Sequence, residues 1–206
     1  MSELDRALAD ITDIHTQIAE AKLFRGFGPT VIAVTGALAF MTALLQTLWP
    51  ALLAKSAIHL LSFWIGLAVL SVLLIGGEVV ARARREHGGL ADAMVSNVVE
   101  QFLPAGMAGA AFTLMIFLFV EEAVWILPGL WQVLVSLGIF AGLKSLPRAV
   151  AVVAAWYFIA GIASFTIASQ QEYLSPWLMG LPFGVGQALM AIVIFSVKGA
   201  PHVQDA

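Results

Sequence analysis

Residues 60–77 read LLSFWIGLAVLSVLLIGG, a run of 18 residues without a charged side chain. An α-helix rises about 1.5 Å per residue, so about 20 apolar residues cross the roughly 30 Å of hydrocarbon in a bilayer. Backbone groups in hydrocarbon must also be hydrogen-bonded within the protein, which a helix achieves inside one segment. This stretch therefore predicts a transmembrane helix.

Five further runs of similar length and composition occur along the chain. The six predicted spans cover residues 28–49, 60–80, 103–120, 124–143, 149–169 and 177–197. Pro29, Pro104 and Pro128 fall in predicted first helical turns, where the missing N–H is tolerated. The sequence thus predicts an all-α, polytopic bundle of six spans (27–198), preceded by a soluble helix (1–26) and followed by a short tail (199–206).

The composition supports the lipid bilayer as the solvent of this chain. Of its 206 residues, 61% are hydrophobic and 11% are charged, and the mean hydropathy is +0.95. Soluble domains are about half apolar and about a quarter charged. The chain has no cysteine and a net charge of −3. Disulfides and thiolate metal sites are therefore excluded, and a nucleic-acid partner, which needs a clustered basic surface, is not expected.

Basic residues lie almost entirely in one of the two sets of connections. That set holds nine: Arg6, Lys22, Arg25, Arg82, Arg84, Arg85, Lys144, Arg148 and Lys198. The other set holds Lys55 together with Glu121, Glu122 and Glu172. Because Lys and Arg near the ends of spans are retained in the cytoplasm, we expect a multi-pass inner-membrane protein with both termini cytoplasmic. No cleavable signal peptide is expected either.

The segment 1–26 carries a heptad pattern. Leu4, Ala7, Ile11, Ile14 and Ile18 follow the a/d spacing of a coiled coil. Acidic residues outnumber basic ones in this segment, which favours packing on protein over binding to an anionic membrane surface. The pattern predicts a face for a second copy of the chain, for another membrane protein or for the cytoplasmic loop. The alternative is an amphipathic arm with no specific partner.

Residues that could support catalysis are scarce. None of the four histidines lies within a predicted span, and no metalloprotease, hydrolase or phosphate-loop motif occurs. We therefore expect a protein that is not an enzyme and that holds no metal or cofactor. Glu78 precedes Arg82 by four residues, a spacing that predicts an ion pair along one helix face.

Uncharged polar residues within the spans are the best candidates for a binding site. Gln132 and Gln187 each lie beside a Pro/Gly-rich helix start, close to Trp131 and Phe183. An amide in hydrocarbon seeks a partner, either a neighbouring helix or a ligand. These four residues are predicted to contact an uncharged or aromatic ligand in the outer half of the membrane, and helix packing is the alternative.

Small residues and a sequence match bear on how the spans are arranged. The pairs Gly180/Gly184 and Gly138/Gly142 predict close helix contacts. The stretches LPAGMAGA (103–110) and LPFGVGQA (181–188) share Leu, Pro, Gly and Ala at equal positions. This match predicts a 3+3 inverted repeat, an arrangement that builds sites near the midplane. Chance recurrence in apolar sequence is the alternative.

Three stretches carry a resemblance to a known group of proteins. They are FRGFGP (24–29), LPGLWQ (127–132) and SPWLMGLPFGVGQ (175–187). They resemble a family of small bacterial multi-spanning membrane proteins that has no assigned activity. The resemblance implies a bacterial inner-membrane protein and nothing about chemistry.

Two functions are consistent with the sequence. The first is a non-enzymatic membrane protein that oligomerises, or joins a larger assembly, through its N-terminal heptads. The second is a small transporter or substrate-binding membrane component with an uncharged ligand between its helices.

Overall fold

Six long helices dominate the structure. The computed structural model describes residues 28–86, 91–143, 146–171 and 174–199, and these ranges contain no strand. The six helices long and apolar enough to cross a membrane confirm the predicted all-α bundle. They are α1 (Pro29–Leu48), α2 (Ala57–Glu86), α3 (Ala91–Phe119), α4 (Leu127–Gly142), α5 (Ala151–Ala168) and α6 (Trp177–Gly199). The N-terminal heptads and the C-terminal tail lie outside the described residues.

Short helical segments join or extend these helices. A one-turn helix, Pro50–Leu53, connects α1 to α2, and 3-10 turns at Glu121–Ile126 and Arg148–Val150 lead into α4 and α5. Successive helices run in opposite directions, so their ends gather at two opposite sides of the bundle. We call the side with Arg84 and Arg148 the arginine end, and the side with Lys55, Glu121 and Glu122 the glutamate end. Each end collects one of the two sets of connections.

The helices form a ring in chain order. Each one packs against its neighbours in sequence, and α6 closes the ring by packing along α1, the most extensive contact in the bundle. The α4 and α5 pair makes the next most extensive contact. A closed ring of six antiparallel helices leaves space at its centre, and that space is the cavity described below.

Small residues explain the close approach of α1 and α6. A Cβ added at Gly184 would lie 3.6 Å from the Gly36 carbonyl oxygen, and one added at Gly180 would overlap Ala43. Helices in lipid associate largely through such packing, because lipid offers no hydrophobic drive for helix association. The predicted role of the Gly180/Gly184 pair is confirmed.

Glycines also set the packing of α4. A Cβ added at Gly138 would lie 3.1 Å from the Phe102 ring, and one at Gly142 would lie 3.5 Å from the same ring, which confirms the second predicted pair. A third close contact was not predicted from the sequence. A Cβ added at Gly129 would lie 2.8 Å from the carbonyl oxygen of Gly161, so the α4 and α5 backbones nearly touch there.

In contrast, α2 and α3 are loosely held. Their most apolar windows are 17% and 11% buried, against 33% to 44% in the other four spans. A Cβ added at Gly66, Gly76, Gly77 or Gly106 would meet nothing within 4 Å. The ring is therefore tightly packed along α4, α5, α6 and α1, and loosely packed along α2 and α3.

One expectation about helix ends is wrong. Pro104 does not start a helix, because it lies inside α3, which begins at Ala91. Residues 81–102, which connect the predicted second and third spans, are largely helical, since α2 continues to Glu86 and α3 begins at Ala91. An apolar pattern marks only the part of a helix that lies in lipid, and the helix itself can continue into water. The start of α3 was therefore predicted too late in the chain.

Candidate functional site

A cavity of ≈ 550 Å³ lies at the centre of the ring. All six helices contribute lining residues. It extends from Met179, two residues after the start of α6, to Leu146 at the arginine end. The cavity is therefore not confined to the half of the bundle near the glutamate end, which was predicted to be the outer half and to hold the ligand.

Three of the four predicted site residues line this cavity. Trp131 of α4 and Phe183 and Gln187 of α6 meet there, although they are far apart in sequence. The fourth, Gln132, is not a lining residue and is 0% exposed. The two predicted aromatic residues and Gln187 therefore share one cavity, and Gln132 lies outside it.

The position of Gln132 has a specific cause in the backbone of α6. Pro182 has no N–H, so the carbonyl of Leu178, four residues earlier, lacks its normal helical donor. Gln132 Nε2 donates to that carbonyl oxygen at 2.8 Å, and Ser164 Oγ lies 3.2 Å from the same amide nitrogen. Gln132 and Ser164 therefore compensate for a proline inside a membrane helix, which is a structural role.

The tryptophans of the cavity already have hydrogen-bond partners. Trp131 Nε1 donates to Thr113 Oγ1 at 2.8 Å, and Trp64 Nε1 donates to Gln46 Oε1 at 3.0 Å. Gln46 in turn donates to the carbonyl oxygen of Leu60 at 3.1 Å. With their polar edges occupied in this way, both indoles offer the cavity mainly apolar surface.

The cavity wall is mostly hydrocarbon. Among the lining residues that the structure describes, there is no Asp, Glu, Lys, Arg or His. Thr35 donates to the carbonyl oxygen of Ile32 at 2.8 Å, so its hydroxyl proton is also used. Three polar side chains remain on the wall: Ser71, Tyr157 and Gln187. A wall of this kind suits an uncharged, largely apolar molecule.

Tyr157 was missed by the sequence analysis. It is 1% exposed, and its Oη has no hydrogen-bond partner among the residues that the structure describes. Its ring centroid lies 5.3 Å from that of Phe183. A signal was present in the sequence, because Tyr157 is the only tyrosine within a predicted span, and polar groups at membrane depth need a partner.

The side of the cavity formed by α2 and α3 is open. The exposed lining residues all lie on these two helices, namely Ala68, Val72, Gly76 and Val99, and Val72 is 70% exposed. The lining residues contributed by the other helices are buried or half-buried. Because α2 and α3 are apolar spans, the opening faces the region that lipid would occupy.

A second space lies at the glutamate end. Its volume is ≈ 760 Å³, and its lining includes Lys55, Glu121 and Glu122. An apolar cluster lies between this space and the central cavity, with Leu60 facing the first and Trp64 and Met179 facing the second. The central cavity is therefore closed toward the glutamate end by packed side chains.

The predicted Glu78–Arg82 ion pair and the residues that could bind a metal complete the comparison with the sequence. A Cβ added at Gly28 would overlap the Glu78 carboxyl group, so the start of α1 packs against α2 there. The Arg82 side chain lies outside the described residues, and its ion pair with Glu78 stays a prediction. No group of three or more His, Cys, Asp or Glu that could hold a metal ion is found in the described part of the chain.

The matched segments of the predicted inverted repeat have different surroundings. Pro104 is exposed on α3, whereas Pro182 is buried on α6. A Cβ at Gly106 would meet nothing within 4 Å, whereas Gly184 packs against α1. The repeat remains a sequence-based prediction.

Comparisons with models of known protein families, with curated proteins and with solved structures give no match to this chain.

Proposed function

We propose that this protein is a membrane component that binds an uncharged, mainly apolar molecule in the cavity between its six helices. The observation that supports this function best is the cavity itself, whose ≈ 550 Å³ volume lies within the range of small-molecule sites. Trp131, Phe183 and Gln187, which the sequence nominated as ligand contacts, lie on its wall. Binding or transport fits this wall better than catalysis.

The wall chemistry limits the charge of the ligand. Burying an ion without a charged or strongly hydrogen-bonding partner costs several kcal/mol. No Asp, Glu, Lys, Arg or His is found among the described lining residues. An uncharged ligand therefore binds with far less desolvation than an ionic one.

The opening between α2 and α3 supports a route for the ligand. It faces the lipid region, and the cluster around Leu60 and Trp64 closes the path to the glutamate end. A molecule already dissolved in the bilayer reaches the cavity without passing through water. A lipid-soluble ligand is thus the class that we propose.

Orientation and location follow from the basic residues. We place the arginine end in the cytoplasm and the glutamate end outside, in the inner membrane of a bacterium. The nine-to-one distribution of Lys and Arg in the sequence supports this topology.

Two matched serine variants test the proposed binding site. Ser71 lines the cavity, whereas Ser62, on the same helix, is exposed and is not a lining residue. Ser71→Phe fills part of the cavity and should weaken binding of a fluorescent long-chain apolar probe in nanodiscs at least tenfold. Ser62→Phe should leave that affinity unchanged. Equal affinities in the two variants would contradict the proposed site.

Assembly through the N-terminal heptads is a second proposal. It is supported by the a/d spacing of Leu4, Ala7, Ile11, Ile14 and Ile18, which lie outside the described residues. Deleting residues 2–22 should lower the mass of the particle in nanodiscs, or remove a co-purifying membrane protein. An unchanged mass and an unchanged set of co-purifying proteins would rule this role out.

A further inference from the structure

Tyr157, one of the residues that line the cavity, carries a buried polar atom whose bonding capacity is unused. Tyr157 Oη has no hydrogen-bond partner among the described residues, and the side chain is 1% exposed. Leaving a buried hydroxyl without a partner is unfavourable. Such groups are uncommon in folded proteins, and each one calls for an explanation.

A second unused group lies on the neighbouring helix. The Gln187 amide lines the cavity and has no hydrogen bond to any residue that the structure describes. Tyr157 contacts α6 beside it, since a Cβ added at Gly186 would meet the Tyr157 phenol group. The phenol can donate and accept, and the amide can do both, so together they suit a hydroxyl or carbonyl group.

Both residues lie near the middle of the bundle. Tyr157 is 9 residues from the start and 11 from the end of the span Arg148–Ala168, and Gln187 is 10 residues from either end of Trp177–Val197. From this depth the cavity continues past Ser71 and apolar residues to the opening along α2 and α3. Apart from Ser71, the polar groups without a described partner therefore lie in one part of the site.

We infer that the ligand is a lipid-like molecule with one uncharged hydroxyl or carbonyl head, held at Tyr157 and Gln187, and an apolar chain directed toward the opening between α2 and α3. This inference rests on the proposed function, because it specifies the class of molecule that the cavity binds. A membrane phospholipid does not fit it, since its phosphate would need a charged partner on the wall.

Three probes of equal chain length test the inference: 1-tetradecanol, 2-tetradecanone and tetradecane. Each is added to the full-length protein in nanodiscs at equal mole fraction and competes with the fluorescent apolar probe. One hydrogen bond of about 1 kcal/mol corresponds to about fivefold in affinity, so two such bonds make the alcohol and the ketone bind roughly thirtyfold more tightly than the alkane.

Two site variants locate the head group. Tyr157→Phe and Gln187→Leu should each weaken binding of the alcohol and the ketone severalfold, while binding of the alkane changes less than twofold. Thr166→Val and Gln170→Leu are the controls, because they make comparable changes at exposed positions on or beside α5. Neither control should alter the preference. Should one site variant fail to fold, the other still decides the outcome.

Three results would overturn the inference. If all three probes compete equally with wild-type protein, the head group is not recognised, although the proposed apolar site stands. If the preference persists in both site variants, Tyr157 and Gln187 are not its origin. If no probe competes and Ser71→Phe has no effect, the proposed function fails together with the inference.

Discussion

Gln132 and Gln187 are the same residue type at similar depth in the bundle, yet their surroundings are opposite. Gln132 is 0% exposed and bonded to the Leu178 carbonyl oxygen, which Pro182 leaves without a helical donor. Gln187 lines the cavity and has no partner among the described residues. Depth in the membrane therefore does not distinguish a structural amide from one available to a ligand, whereas the hydrogen-bond partners of the amide do.

The largest effect is expected from disrupting the close packing of α4 against α5. Gly129→Leu would force a side chain against the Gly161 backbone, where a Cβ already lies 2.8 Å from the carbonyl oxygen. Overpacking costs about 1–3 kcal/mol and more at such a backbone contact, so the folded protein should be largely lost from detergent extracts. Gly66→Leu, at a glycine with nothing within 4 Å, should give a normal yield in size-exclusion chromatography. Equal yields would contradict the tight α4 and α5 crossing.

The two glutamines should differ clearly in stability. Gln132→Leu removes the nearer of two donors to the Leu178 carbonyl oxygen, the other being Ser164 Oγ at 3.4 Å, and should lower the free energy of unfolding by about 1–3 kcal/mol. Gln187→Leu removes no hydrogen bond to a described residue and should change the free energy of unfolding by less than about 0.5 kcal/mol. Denaturation in mixed micelles measures both, and a larger loss in Gln187→Leu would reverse the comparison.

A double-mutant cycle sharpens the role of Gln132. Pro182→Ala supplies the backbone N–H that the Leu178 carbonyl lacks. In that background Gln132→Leu should cost about 1 kcal/mol less than in the wild-type protein. Additive effects would mean that Gln132 does not compensate for the proline. Pro182→Ala combined with Gln187→Leu is the control, for which we expect additivity.

The smallest effect is expected at Tyr157. Tyr157→Phe removes a hydroxyl without a partner in the described structure, so stability should stay the same or rise by up to about 1 kcal/mol. Ser164→Ala removes a hydroxyl that contacts Gln132 at 3.2 Å and should lower stability by about 0.5–1 kcal/mol. A marked loss in Tyr157→Phe would show that its hydroxyl is structural.

The fold was predictable from sequence because lipid imposes a strong and simple constraint. Long apolar runs gave six spans, and the Gly180/Gly184 and Gly138/Gly142 pairs indicated contacts that the structure confirms. The error at Pro104 has the same origin, since hydropathy marks the extent of lipid rather than that of the helix. Sequence periodicity says little about where a helix extends into water.

The candidate site was predictable only in part. Trp131, Phe183 and Gln187 line one cavity, as expected of residues near helix starts rich in proline and glycine. The different roles of Gln132 and Gln187 could not be predicted. The partner of Gln132, the Leu178 carbonyl, lies 46 residues away in sequence, and Gln187 has no partner among the described residues. Tyr157 could have been nominated as the only tyrosine in a predicted span, but its packing against Gly186 requires the fold.

Photolabelling with a tetradecanol that carries a diazirine near its hydroxyl tests whether the six-helix ring binds a ligand in its central cavity. The protein in nanodiscs is irradiated, and the labelled residues are identified by mass spectrometry. We expect labels on cavity residues near Tyr157 and Gln187, which disappear when unlabelled tetradecanol is added in excess. Labels spread over lipid-facing residues such as Ile192 and Phe195, insensitive to the competitor, would contradict a binding cavity within the six-helix ring.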